Sequence, residues 1–282
     1  MIRHLVALIS VVAPCPAALA IVVPGVFPPR IFETFDDYPD GYELRLDYPT
    51  VSPASIFGAT VTSSDGLYPG IQGKAAEFDI ALTTAPVVLR IRNDELAILT
   101  PDLFGPLVFR ADIYDDGITE GKRITVDVRS QPAGGGAQNV IRMGSPFPFF
   151  PFGYMQAGVA DNPAVGWQPF SLPDDLNERA EIGPGWHRFA VHITMTELIY
   201  SLDLHRDGVV DAIDVVPAIL HPIGFNEMRF GKMLPSFEPA FIAVDNLVLM
   251  AVPEPATLVT AVIAGLTIIR ARRRGDVCTS CE

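Results

Sequence analysis

The 282-residue chain has few cysteines, few charged residues and no compact catalytic motif. None of its three cysteines falls between positions 21 and 277, so disulfides cannot hold the central region together. Only 19% of the residues are charged and 49% are hydrophobic, a composition that argues against disorder and predicts at least one sizeable core. The stability of the central region must therefore come from packing, with or without a metal ion.

Positive charge is scarce in the same region. The formal net charge is −13, from 20 basic and 33 acidic residues. Five of the basic and two of the acidic residues lie outside positions 21–255, which leaves 15 basic against 31 acidic side chains, a net charge of about −16. A field of this sign repels phosphate backbones, so we expect no nucleic-acid partner and regard divalent cations as the natural counter-ions.

The common signatures of hydrolases are missing as well. The sequence contains no Gly-x-Ser-x-Gly elbow and no His-Glu-x-x-His zinc helix. Glu77 and Asp79 begin a Glu-x-Asp-x-x-Glu run of the kind that jelly-roll glycosidases use, but Leu82 stands in place of the final glutamate. We therefore predict a non-enzymatic protein. The alternative is a secreted carbohydrate-active enzyme of jelly-roll type whose acids are brought together by the fold.

The N-terminus has the pattern of a cleavable secretion signal. Arg3 and His4 precede an apolar stretch from Leu5 to Ala13, and Ala18-Leu19-Ala20 forms a small-x-small cleavage site. The apolar stretch has nine residues, too few for a bilayer that needs about 20. We expect cleavage after Ala20 and export of the remainder.

The C-terminus combines a proline break, an apolar run and a basic cluster. Pro253-Glu254-Pro255 is followed by 14 apolar or small residues over 256–269 and then by Arg270, Arg272, Arg273 and Arg274. Arginines that follow a membrane helix stay on the cytoplasmic side, which places the body outside. Because the run is short for a permanent span, we expect a transient membrane stage.

This order of features resembles the PEP-CTERM sorting signal of Gram-negative bacteria. The resemblance implies recognition by a membrane-embedded exosortase, removal of the tail, and delivery from the inner membrane to the cell envelope or the extracellular polymer. Residues 275–282 depart from the pattern, because such tails usually stop soon after the arginines. The residues that match the sorting motif are Pro253, Glu254, Pro255, Arg272, Arg273 and Arg274.

Between the two signals, hydrophobic residues recur at every second position, which is typical of half-buried strands. Ile124, Val126 and Val128 share one face of such a run, and a second run over 187–194 repeats the pattern. Asp-Gly pairs and frequent prolines separate the runs, as in a loop-rich sheet protein. We therefore predict an all-β body, with further strands at 107–114, 139–143, 198–204, 228–230 and 241–250.

The order of short motifs resembles the concanavalin A-like or laminin-G-like jelly roll. The residues that carry the resemblance are Phe35-Asp36-Asp37, Gly185-Trp186-His187-Arg188-Phe189, Leu202 to Gly208, and Val244-Asp245-Asn246-Leu247. It implies a jelly-roll β-sandwich in which the first and last strands pair. The two terminal signals add an N-terminal signal helix and a short C-terminal membrane helix to this body. The predicted units are 1–20 signal peptide, 21–30 linker, 31–250 β-sandwich, 251–274 sorting signal with a membrane helix over 256–271, and 275–282 cytoplasmic tail.

Two groups of aspartates are candidate calcium ligands. Asp203, Asp207 and Asp211 have the spacing of a calcium loop around Gly208, although a plain β-hairpin explains the same residues. The jelly-roll resemblance implies a second group, in which Asp36 and Asp37 meet Asp245 where the terminal strands pair. The competing interpretation of that group is solvated acids at strand ends.

Aromatic residues offer a weaker candidate for sugar binding. A stretch rich in phenylalanine and proline over 147–154 ends at Tyr154, and Trp167 follows nearby. Tyr154 and Trp167 could stack on the apolar faces of sugar rings, while packing in the core or in a loop is the simpler use. We predict an exported surface or extracellular-matrix protein, structural or associated with extracellular polysaccharide.

Overall fold

The structure is a computed structural model that describes part of the chain. The described residues are 30–48, 59–63, 73–79, 87–92, 99–116, 124–132, 135–145, 155–160, 167–173, 184–232 and 241–252. The predicted signal peptide, the sorting tail and Tyr154 lie outside them. Among the described residues, no helix has the length and apolar character needed to cross a membrane.

Nearly all of the described regular structure is strand. The one α-helix in this part, α1 (Pro101–Phe104), is a single turn, and short 3-10 turns occupy Leu44–Leu46 and Leu204–Arg206. The strands are β1 (Arg30–Glu33), β2 (Ala59–Ser63), β3 (Lys74–Asp79), β4 (Val87–Arg92), β5 (Leu107–Asp115), β6 (Ile124–Arg129), β7 (Asn139–Ser145), β8 (Met155–Ala160), β9 (Gln168–Pro169), β10 (Gly185–Ile193), β11 (Glu197–Asp203), β12 (Ala212–Pro217), β13 (Glu227–Lys232) and β14 (Phe241–Ala251).

The strands form two antiparallel sheets, which confirms the all-β prediction. The larger sheet has the order β12-β11-β10-β5-β14-β3-β2, with β1 also paired to β14. The smaller sheet has the order β4-β13-β6-β7-β8-β9. Arg30 on β1 lies opposite Met250 on β14, so the first and last described strands pair as the sequence resemblance implied.

Alternating residues of both sheets meet in one core. Val126 and Val128 of the smaller sheet and Phe189, Val191 and Ile193 of the larger sheet are all fully buried in the same hydrophobic cluster. The predicted inward faces of β6 and β10 are therefore confirmed. The polar residues between them are left on the outer faces of the sandwich, where the candidate sites lie.

Phe230 on β13 joins the two sheets at the centre of an aromatic group. Its ring centroid lies 5.8 Å from that of Phe35, 6.1 Å from that of Tyr48 and 6.0 Å from that of Phe78. Phe78 belongs to the larger sheet, whereas Phe35 and Tyr48 belong to the segment that follows β1. Tilted and edge-on ring contacts of this kind add to the stabilisation that burial provides.

A β-bulge interrupts β14 next to β5. Asp245 lies opposite Asp112, but the next aligned pair is Val248 with Arg110, so β14 carries one extra residue. Asn246 adopts a positive φ of 52° at this point, a conformation that asparagine tolerates better than most residues. The bulge turns the amide of Asn246 toward the carboxylates of Asp112 and Asp245.

Replacing Phe230 tests the aromatic junction. We expect Phe230→Ala to lower the free energy of unfolding by about 3–5 kcal/mol, because it removes a fully buried ring and leaves a cavity. Phe32→Ala is the matched control, since Phe32 is 56% exposed and its loss should change stability by less than about 0.5 kcal/mol. Equal losses in chemical denaturation would contradict the assignment of Phe230 as the junction.

Candidate functional site

A row of charged residues crosses the outer face of the larger sheet. The strand register places Asp245 on β14 opposite Asp112 on β5, Asp112 opposite Arg188 on β10, and Arg188 opposite Asp203 on β11. We call these four residues the acid row. Asp112 and Asp245 are almost completely buried although they lie on the outer face, so their charges must be matched by neighbouring groups.

Within the acid row, the charge of Asp112 is compensated by the largest number of neighbouring groups. Arg188 donates to both of its carboxylate oxygens, from Nε at 2.8 Å and from Nη2 at 3.0 Å. The Nδ2 of Asn246 donates to Oδ2 at 3.0 Å, and Nη1 of Arg206 lies 3.2 Å from the same oxygen. Arg206 reaches this position from a backbone with a positive φ of 54°. The sequence analysis did not single out Asp112, although a carboxylate within an apolar strand is a recognisable signal.

The charge of Asp245 is compensated less well than that of Asp112. The backbone N–H of Asn246 donates to Oδ1 at 2.6 Å, and its Nδ2 donates to Oδ2 at 2.8 Å. Burial raises the pKa of Asp245 to about 7, and the charges of Asp112 and Asp36 act in the same direction, while the hydrogen bond from Asn246 and the charge of Arg206 oppose the rise. The nearby Asp36 is exposed, and its Oδ1 accepts a hydrogen bond from the backbone N–H of Lys74 at 2.8 Å.

The aspartates of the predicted calcium loop serve the turn between β11 and β12. Asp203 accepts hydrogen bonds from the backbone N–H groups of Asp207 at 3.1 Å and Gly208 at 3.2 Å. Asp211 accepts from the backbone N–H of Leu204 at 2.7 Å, and Asp207 accepts from that of Val209 at 2.8 Å. Because β11 and β12 pair antiparallel across this turn, the hairpin interpretation accounts for all three carboxylates.

The described residues do not assemble a metal site from these acids. No group of three or more histidine, cysteine, aspartate or glutamate side chains in the described part of the chain lies close enough to hold an ion. Asp36 and Asp245 interact electrostatically across the predicted position, and Asp37 is exposed beside them. Trp167, the described member of the aromatic pair, is half-buried next to the short β9.

The outer face of the smaller sheet carries a checkerboard of opposite charges. Glu227 and Arg229 alternate along β13, and Asp127 and Arg129 alternate along the antiparallel β6, so each acid lies opposite an arginine. Arg129 donates to Asp127 from Nε at 2.6 Å and from Nη2 at 2.7 Å, and Nε of Arg229 donates to Glu227 at 2.5 Å. Asp127 and Glu227 are fully buried beneath these ion pairs.

Three more arginines flank the checkerboard. Arg90 and Arg92 on β4 lie opposite Arg229 and Glu227, and Arg142 on β7 lies opposite Asp127. We call the surface formed by these five arginines and two acids the arginine face. Arginines therefore outnumber acids five to two among the described residues of this face, although the whole chain carries −13.

Arg90 and Arg142 are incompletely hydrogen-bonded in the described part of the structure. The buried Nε atoms of Arg90 and Arg142 have no hydrogen-bond partner within the described structure. Arg142 approaches Asp127 no closer than 3.9 Å, and Arg92 lies 3.9 Å from Glu227. Burial lowers the pKa of Arg142, and the charges of Arg129 and Arg229 act in the same direction, while Asp127 opposes them.

Sequence reasoning missed the arginine face. The alternation of β6 was predicted correctly, but no role was predicted for its polar side. The available signal is an acid-x-Arg pair on two strands, Asp127-Val128-Arg129 and Glu227-Met228-Arg229. Such a pair becomes a checkerboard only if the two strands are antiparallel neighbours, and the 97 residues between β6 and β13 conceal that adjacency.

No protein-family model and no curated protein matches this chain. Similar solved structures include "Cellulose induced protein, Cip1", with a TM-score of 0.45, 13% identity and coverage of 79% of this chain and 98% of that chain. The Ca2+/Man3GlcNAc-bound exoplasmic/lumenal domain of VIP36 has a TM-score of 0.39, 13% identity and coverage of 68% and 85%. The binding domain of Paraclostridial Mosquitocidal Protein 1 has a TM-score of 0.43 and 8% identity, with 73% of this chain covered; the chain spans 45% of that protein's length.

Stability should depend on pH through Asp245. Its folded pKa of about 7 lies above the unfolded value of 3.8, so the folded state binds the proton more tightly. The resulting stabilisation is fully present below about pH 4 and is lost as pH rises to about 7, by up to about 4 kcal/mol. We expect Asp245→Asn to flatten this part of the profile and to be more stable than the unmodified chain at pH 8.

Denaturant unfolding at several pH values provides the measurement. Asp207→Asn is the control, because Asp207 is exposed and replacing it should leave the slope between pH 4 and 7 intact. If Asp245→Asn keeps the full slope, the buried carboxylate is not its source.

Proposed function

We propose that this chain is an exported, non-enzymatic surface or extracellular-matrix protein that associates with polysaccharide through its arginine face. The proposed body is a jelly-roll β-sandwich of the concanavalin A-like type. The observation that carries the proposal is the arginine face itself, on which five arginines and two acids lie on four neighbouring strands of an acidic chain.

The state of the two acids on this face supports binding rather than catalysis. A glycosidase needs one carboxyl group as a proton donor and a second as a base or nucleophile. Asp127 is held bidentately by Arg129, and one oxygen of Glu227 is held by Arg229. In these pairs each carboxylate is engaged by an arginine side chain, which opposes its use as a proton donor or nucleophile.

The alternative is a secreted carbohydrate-active enzyme. One observation favours it: Asp127 and Glu227 lie on adjacent strands, brought together by topology from distant parts of the sequence. Oε2 of Glu227 also has no hydrogen-bond partner in the described part of the structure. Turnover of a bound polysaccharide is therefore the result that distinguishes the two functions.

Export and sorting complete the proposal. The secretion signal and the PEP-CTERM-like tail support passage through the inner membrane, a transient stage there, and transfer by an exosortase to the envelope or the extracellular polymer. Calcium remains a prediction for Asp36, Asp37 and Asp245. If an ion binds, calorimetry of the folded body should show a lower melting temperature in chelator, and an unchanged temperature would count against it.

Binding without turnover tests the function. We expect the body, residues 21–252, to be retained on a panel of immobilised extracellular polysaccharides and to release no reducing ends from any polysaccharide that it binds. The double variant Arg90→Gln/Arg142→Gln should lose at least about tenfold in affinity, because each change removes a charged donor. Release of reducing ends that stops in Asp127→Asn or Glu227→Gln would establish the enzyme instead.

The tail is tested in a Gram-negative host that carries an exosortase. We expect the unmodified chain to lose the residues after about position 253 and to leave the membrane fraction. The variant P253A/E254A/P255A should keep its tail and remain in the membrane fraction, because the sorting motif is gone. Intact mass measurement of both products provides the readout, and identical C-termini would refute sorting through this motif.

A further inference from the structure

We propose that β12, the last strand of the larger sheet, is a docking edge on which a second copy of this chain pairs. The two copies are related by a two-fold axis, and β12 runs antiparallel to its own copy, so that one continuous sheet extends through both. This inference concerns a different surface from the arginine face and does not depend on polysaccharide binding.

The backbone of β12 is paired on one side. Among the described strands, β11 is its one neighbour. The N–H of Ala218 donates to the carbonyl of Thr196 at 2.9 Å, and hydrogen-bonded pairs alternate along an antiparallel ladder. The even-numbered residues of β12 are therefore the ones that bond to β11. The N–H and C=O groups of Ile213 and Val215 point the other way, toward the free edge.

β12 lacks the features that usually protect a sheet edge from pairing. Protected edge strands are short, carry lysine or contain a bulge. β12 has six residues, contains no lysine or arginine, and keeps an unbroken register with β11. Its one charged residue, Asp214, is engaged by Ser171, whose N–H and Oγ donate to the carboxylate at 3.0 and 2.5 Å. Pro217, which has no N–H, ends the strand and limits the length over which a partner can pair.

The side chains beside the free edge are apolar and exposed. Ile213 is 62% exposed and Val215 is 58% exposed, both on the outer face of the sheet. Val209 and Val210 lie in the turn before β12, Ile219 lies after it, and all three are exposed as well. Five of the eight large hydrophobic side chains that are exposed in the described part of the chain thus lie between positions 209 and 219. Clustered exposure of this kind marks a contact surface.

The strand is complementary to itself in one register. If the two-fold axis passes between Val215 and its copy, these residues pair, and the N–H of Ile213 donates to the carbonyl of Pro217 in the second copy. Asp214 then lies opposite the apolar Val216, so no like charges meet. An axis through Asp214 would instead place two carboxylates directly opposite each other. The register through Val215 therefore joins apolar residues and uses both outward N–H groups of each copy.

The charge and size of the edge determine what kind of contact it makes. Asp207 and Asp211 border the apolar cluster and would repel an anionic membrane surface. Two copies of a chain with a net charge of −13 also repel each other, so apolar burial and backbone hydrogen bonds must hold the pair, and added salt should strengthen it. Residues 209–219 are about half of the 20–30 residues per side in a standard interface, which predicts a weak dimer.

Pairing through β12 would have a consequence for ligand binding. In an antiparallel pair, residues that lie opposite each other project to the same face of the sheet. The inner faces of the two larger sheets, and with them both smaller sheets, would therefore lie on one side of the joined sheet. A polymer could contact two copies at once, which raises its apparent affinity without any new contact within one copy.

Sedimentation equilibrium of the body, residues 21–252, tests the association. We expect a monomer–dimer equilibrium over roughly 1 to 200 µM, with more dimer in added salt. Val215→Lys should raise the dissociation constant at least about tenfold, because it places like charges opposite each other at the axis. Phe32→Lys is the matched control, since Phe32 is exposed to a similar extent on β1 and its replacement should leave the dimer intact. Thermal melting of both variants verifies folding.

A cysteine at the axis reports the register in the full chain. Opposite Cα atoms of a hydrogen-bonded antiparallel pair are about 5.5 Å apart, within the range of a disulfide. In cells treated with a thiol oxidant, Val215→Cys should form a disulfide-linked dimer on a non-reducing gel. Ile213→Cys is the matched control, because Ile213 is similarly exposed but lies roughly 15 Å from its own copy in this register. Both variants keep the three native cysteines, so they differ only in the introduced thiol.

Each result has a stated meaning. A body that stays monomeric at about 200 µM, or a Val215→Lys variant that dimerises like the unmodified chain, overturns the docking edge. Crosslinking by Ile213→Cys but not by Val215→Cys overturns the register. A disulfide from Val215→Cys to another protein, without one between two copies, overturns self-pairing in favour of a different partner.

Discussion

The whole structure depends on the burial of one apolar face from each of two sheets. With no cysteine between positions 21 and 277, no covalent link ties the sheets together, so the contact between them must supply the cohesion. Phe230 and its aromatic neighbours are the densest part of that contact. Because strand residues alternate, filling the core with apolar side chains places every intervening polar residue on an outer face.

The two outer faces handle those polar residues differently. On the larger sheet, buried carboxylates dominate, and Arg188, Arg206 and Asn246 converge on Asp112 to offset its charge. On the described part of the smaller sheet, arginines outnumber acids, and the buried Nε atoms of Arg90 and Arg142 have no hydrogen-bond partner there. The four non-glycine residues with positive φ in the described part, Phe35, His205, Arg206 and Asn246, all belong to segments around the first of these clusters. Strained backbone conformations therefore occur in the segments that bring partners to the charge of Asp112.

Sequence reasoning succeeded where the signal is local. The alternation over β6 and β10 identified inward residues, and the Asp-Gly pair at Asp207 marked the hairpin between β11 and β12. It failed where the chemistry depends on which strands become neighbours in a sheet. Asp112, Arg188 and Asn246 come from three separate strands, and Asp127 meets Arg229 across about a hundred residues of chain. No periodicity within one strand reveals which strand will lie beside it.

The pairing of β1 with β14 has a mechanical consequence. Arg30 and Met250 are partners, so the chain enters and leaves the sandwich at the same end of one antiparallel ladder. A pull applied between the two ends loads those hydrogen bonds one after another, as in opening a zipper, rather than all together in shear. The four residues of β1 would part first, and β14 would keep its longer ladder to β5 while the core stayed closed.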